Sequence, residues 1–135
     1  SDTMTKKERI TMVTKEQLRD WLDTNTRRER IAKIEAILDR EIKENALAGK
    51  TTFYVSTGET IDVSHRHQKS YFYDTWHNKD LTEESRELIK QEVLRKYREA
   101  GFDVSIVTIE HGWSRYEAVR FRDIHKLVEE GDVND

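Results

Sequence analysis

Cysteine and proline are both absent from this 135-residue chain, glycine occurs only five times, and no apolar run approaches the length of a membrane span. Without cysteine there is no disulfide and no thiolate metal site. A bilayer-crossing helix needs about 20 mostly apolar residues, so no membrane association is expected. The opening stretch, SDTMTKKERI, is polar and charged, unlike a secretory signal, which points to a cytoplasmic setting. An excess of one charge is missing too. The chain has 24 Lys and Arg against 27 Asp and Glu, a net charge of −3 with the two signs interspersed. That describes a solvated surface rather than a field that steers ligands, and it disfavours nucleic acid, whose phosphates need a positive surface. Hydrolytic motifs are also lacking. There is no cysteine nucleophile and no G-x-S-x-G elbow. Ser64 and His65, adjacent on a strand, would point to opposite sides, and His65-Arg66-His67 does not match the H-x-[ST] motifs of a two-histidine phosphoesterase. No residue nominates itself as catalytic, and no cofactor is expected.

What is present is a folded-protein composition. Three Trp, five Tyr and four Phe argue against disorder, and the length suits a single domain over 1–135. Residues 1–12 read as a flexible arm and 131–135 as an acidic tail. Thr14 and Gln17 match a capping box, predicting a short helix to about Asp23 with Leu18, Trp21 and Leu22 as its apolar side. Asp-Thr-Asn-Thr, 23–26, then breaks the pattern. Thr26 and Glu29 offer a second capping box for a long helix to Ala48, with Ile31, Ile34, Leu38 and Ile42 inward. TTFYVS, 51–56, has strand composition, Thr57-Gly58 reads as a turn, and ETIDVSH as a returning strand. A loop with one short strand at SYFY follows. Thr82 is an N-cap for a helix to about Ala100, with Leu88, Ile89, Val93, Leu94 and Tyr97 inward. FDVSIVTI and RYEAVRF form a hairpin around EHGW. A short helix over 122–130 brings Ile124, Leu127 and Val128 to the core. The expected fold is α+β, with long helices packed on one face of a small, mainly antiparallel sheet and a short C-terminal helix.

Gly49-Lys50-Thr51 ends like a phosphate-binding loop. That motif needs a second glycine, where Glu44 stands here, and must follow a strand and open a helix. Gly49 is expected to do the reverse, closing a helix as its C′ residue and opening a strand. Gly101 repeats the arrangement between the later helix and FDVSIV.

The segment SHRHQKSYFYDTWHNKD, 64–80, concentrates three of the five histidines and four large aromatics. It supports three functional readings. Tyr, Trp and Arg anchor protein interfaces, which nominates His65, Arg66, His67, Tyr71, Tyr73, Trp76 and His77, with Trp113 of the EHGW turn, as contacts to a larger protein. Stacking on bases by the same aromatics, helped by Arg66 and Lys69, would make the chain a nucleic-acid or nucleotide binder. His65 and His67, on one side of a strand, with His77 or Asp74, would make it a histidine-ligated metal enzyme. Against all three stands a purely structural alternative, in which Tyr71, Tyr73 and Trp76 cover the sheet. The preferred reading is a non-catalytic protein-binding module.

In its short length, its lack of cysteine and proline, its mixed Lys and Glu, and its helix–Gly–strand units ALAGKTTFYV and REAGFDVSIV, the chain resembles small accessory proteins of tailed bacteriophages. The resemblance implies one of two roles: an early protein docking on a host or defence protein, or a small component of the virion. It carries over no catalytic residues.

Overall fold

In the computed structural model, which describes residues 12–61, 64, 66–112 and 114–129, the Thr14 capping box forms as expected. The Thr14 hydroxyl accepts from the Gln17 N–H at 3.1 Å, and the Gln17 side chain accepts from the Thr14 N–H at 3.0 Å. The helix it starts does not stop at Asp23. Helix α1 runs unbroken over Lys15–Leu47, 33 residues, a rod of about 50 Å. The residues expected to break it are weak helix formers, each costing about 0.7 kcal/mol or less, and none is Gly or Pro. Two side chains of that stretch are instead used along the helix, Arg27 donating to the Thr24 hydroxyl and Asn25 to the Glu29 carboxylate, both at 3.3 Å. The Thr26–Glu29 capping box is therefore not used.

Gly49 and Gly101 are stops, as expected. Each has a positive φ, 78° and 103°. The Gly49 N–H reaches the Ala46 carbonyl at 3.0 Å and the Lys50 N–H that of Asn45 at 2.9 Å; Gly101 and Phe102 repeat this with Arg98 at 2.9 Å and Tyr97 at 3.0 Å. These paired bonds satisfy the last carbonyls of the helix. Lys50 thus faces helix carbonyls, the wrong polarity for a phosphate cradle.

Strands β1 (Phe53–Ser56), β4 (Asp103–His111) and β5 (Ser114–Arg122) form an antiparallel sheet in the order β1-β5-β4. The return of β1 through residues 59–65 is corrected. β1 pairs with β5, Phe53 opposite Phe121 and Val55 opposite Val119, while β2 (Glu59–Ile61) pairs with β3 (His67–Lys69) as a separate ribbon. The cause is burial. β5 offers β1 apolar partners in register on one face, which the polar Glu59 and Thr60 could not match. The strand expected at SYFY is also corrected. Tyr73–His77 is a short helix, α2, because a helical turn stacks Phe72 and Trp76, four apart, in ring contact inside the core, whereas a strand would hold them about 13 Å apart.

Helix α3 spans Glu83–Glu99, capped by the Thr82 hydroxyl, which accepts from the Ser85 N–H at 3.2 Å. The core lies between the helices and one sheet face: Ile34 and Leu38 of α1, Ile89, Val93, Leu94 and Tyr97 of α3, Phe72 and Trp76, against Phe53, Val55, Val104, Val119 and Phe121. The fold is α+β. Leu88, expected inward, is half exposed, since only one side of α3 fits the sheet; Val128, also expected inward, is exposed on a single helical turn over 126–129. Among the described residues no helix is long and apolar enough to cross a membrane.

Candidate protein interface

The segment nominated as a contact surface divides in two. Trp76 is completely buried and Tyr73 nearly so, so neither offers its ring to a partner. Both are interior, as in the structural alternative, and Trp76 joins the core against the sheet. Phe72 packs on Trp76 with ring centres 5.6 Å apart. His77 lies half-buried against Tyr73, at 4.6 Å, and Lys69 and Lys79 each sit 5.0 Å from the Tyr73 ring, covering it from solvent with a cation–π contact. Tyr71 remains outside, 59 % exposed. Its hydroxyl donates to Glu41 of α1 and the Arg40 guanidinium lies 5.8 Å from its ring. Arg66 and His67 are exposed, His67 beside Glu59 at 3.2 Å. His65 and Trp113 lie outside the described residues. No cluster of three metal-capable side chains occurs among the described residues.

His77 ties α2 to the link between β1 and β2. Its Nε2 donates to the Thr57 carbonyl at 2.8 Å, and the fully buried Thr57 in turn bonds Glu117 of β5 through its N–H at 2.9 Å and its hydroxyl at 3.0 Å. Burial holds the imidazole below its ordinary pKa of 6.5; the Thr57 carbonyl and Glu117 push the other way, while Lys90 and Lys79 add to the depression. The unfolded chain therefore binds the proton more readily, and stability rises with pH. The His77 contribution is complete above about pH 6.5 and declines as pH falls toward the depressed folded value. Urea midpoints at about pH 7.5 and about pH 5 should fall toward the acid side, and His77→Gln should shrink that difference. Asp80, held to about 2 by the Arg30 guanidinium, titrates below this window.

The exposed apolar surface lies elsewhere, on the first half of α1. From Lys15 to Glu29, about 22 Å of helix, no residue is buried. Leu18, Trp21 and Leu22 are 50 %, 54 % and 58 % exposed, and Met12 and Val13 just before them are as open. At ~100° per residue, Leu18 lies ~160° around the helix from Ile34. The early stripe thus faces away from the side that Ile34 and Leu38 bury. Among the described residues Arg30 is the first strong tether, donating to Asn78 and Asp80, both at 2.8 Å, with its second nitrogen 2.7 Å from Asp80. The left-handed, buried Asn78 closes α2, so this clamp marks where the rod joins the domain. On the same wheel Lys15 and Arg19 flank the stripe on one side and Arg28 on the other, while Glu16, Asp20 and Asp23 face away. The three apolar residues were visible in the sequence. Their phase relative to the core stripe was hidden by the expected break at 23–26.

Models of protein families, curated proteins and solved structures all fail to match the chain.

Proposed function

We propose that the protein is a non-catalytic docking module. Its contact is the free half of α1, laid apolar side down into a groove on a larger protein. The observation that carries this reading is the Leu18–Trp21–Leu22 stripe, half exposed and turned away from the domain's own core. Monomeric proteins seldom leave such a face uncovered, and Trp is enriched among the anchors of interfaces. The basic flank of Lys15, Arg19 and Arg28 calls for a groove with an acidic rim. This moves the favoured contact from 65–77 to 18–22, with Tyr71 as a peripheral neighbour only. Within the phage-type resemblance, the groove belongs to a host or defence protein, or to a virion component.

The test is affinity capture from the native host, followed by titration of the partner recovered. The double variant Trp21→Ala, Leu22→Ala should raise the Kd at least tenfold, the size of about 1.4 kcal/mol, without altering the thermal transition. Tyr71→Ala should leave the Kd within about threefold. Equal binding by the double variant would sink the reading. Captured material that nuclease or modest salt releases would turn it toward nucleic acid.

A further inference from the structure

β4 is an edge strand, and over its uncharged middle, from Ser105 to Ile109, it has none of the features that keep edges apart. It is nine residues long, paired with β5 on one side only; among the described residues no strand pairs with the other. Natural sheets blunt free edges by making them short, by bulges, by proline or by inward-pointing charge. The opposite edge follows this rule, since β1 has four residues. β4 does not. Its register with β5 runs one for one from Asp103–Arg122 to His111–Ser114, with no bulge. The chain has no proline, and the six residues Val104 to Ile109 include no charge. Such a segment is built to pair.

The hairpin fixes which groups face out. His111 and Ser114 flank a two-residue turn, so His111, Ile109, Val107 and Ser105 bond to β5. The N–H and C=O of Ile106, Thr108 and Glu110 then point away from it. Val104 points the same way, which its carbonyl confirms by accepting from Arg98 Nε at 3.1 Å. We propose that this edge pairs antiparallel with the same edge of a second copy, Val107 opposite the partner's Val107, so that the two three-stranded sheets become one. In that register Ile106 and Thr108 exchange backbone bonds with the partner's Thr108 and the partner's Ile106. Charge is compatible with it as well. Glu110 comes opposite the partner's Val104, beside the partner's Arg98, and His111 comes opposite the partner's Asp103. A copy of this chain therefore satisfies the edge in backbone and apolar groups at once, while Glu110 and Asp103 keep their own partners Arg115 and Arg122, and the dimer would present two α1 arms to a partner.

Val107 side chains in this register form a non-hydrogen-bonded pair with Cα atoms about 4.5 Å apart, inside the span of a disulfide. The chain is otherwise free of cysteine. Purified Val107→Cys should therefore form a covalent dimer under mild oxidation, whereas Ser105→Cys, whose copies would lie four residues apart along the strands, should not. Light scattering of the unmodified protein should give a dimer mass. Thr108→Pro, which removes only an outward N–H at an exposed edge position, should raise the dimer dissociation constant at least about tenfold, with an unchanged circular-dichroism spectrum. A monomer mass at every concentration, or cross-linking of Ser105→Cys as complete as that of Val107→Cys, would overturn the proposal. Neither result bears on docking by α1, whose contact lies on a different element.

Discussion

Replacing Trp76 with alanine is expected to destabilise the protein by about 3–5 kcal/mol, a large share of the ~5–15 kcal/mol that holds a domain together. Trp76 has no exposed surface and sits on Phe72, facing the helices and the sheet together. Truncating it removes the transfer energy of an indole and leaves a cavity that α2 is too short to close. The loss should lower the thermal midpoint by roughly 10–20 °C. Trp21→Ala makes the same chemical change on the exposed half of α1 and should move stability by no more than about 0.5 kcal/mol. Urea unfolding of both variants checks the pair. A Trp76→Ala midpoint close to that of the unmodified protein would mean that α2 is not seated in the core.

Phe121→Ala should cost a similar amount, about 3–5 kcal/mol, for a different reason. Phe121 lies at the meeting point of four elements. Its ring stacks on Phe53 of β1 at 5.2 Å and takes the edges of Tyr97 of α3 at 5.5 Å and of Phe102 at 5.7 Å. Across the other strand pair it faces Val104 of β4. Phe121→Leu keeps most of the apolar volume but loses the ring geometry, and should cost only about 1–2 kcal/mol. A double-mutant cycle with Tyr97→Leu should return a coupling of about 0.5–1.5 kcal/mol. A cost for Phe121→Ala below that of Phe121→Leu would contradict this packing.

Much of the fold was legible because local signals and burial agree. Thr14, Thr82, Gly49 and Gly101 act within a few residues of themselves, and a cap or a left-handed stop works in any context that permits a helix. The FDVSIVTI–RYEAVRF hairpin was readable for the same reason, being closed by its own turn. The misreadings arose where long-range contact overrode local preference. Asp23 to Thr26 look like a helix end, but Gln17 to Leu22 before them and Ile31 to Ile42 after them are both helical, and nothing between costs enough to interrupt. Residues 70–73 have strand composition, yet the core requires Phe72 and Trp76 in ring contact, and only a helical turn brings residues four apart that close. The candidate contact surface was the least legible part. Trp21 and Trp76 are the same residue, each on a helix, and their opposite fates depend on which side of α1 and α2 the sheet occupies.

The chain by itself determined the α+β class, the two glycine stops, the capped starts of both long helices and the lack of any disulfide, because each follows from bonds within a turn or from composition. Tertiary structure decided that α1 is one rod, that β1 joins β5 rather than its sequence neighbour, that Tyr73 and Trp76 lie inside while Leu18, Trp21 and Leu22 lie outside, and that β4 is left as an edge. Those outcomes depend on which apolar faces meet, and a face is buried only when another, distant in sequence, arrives to cover it.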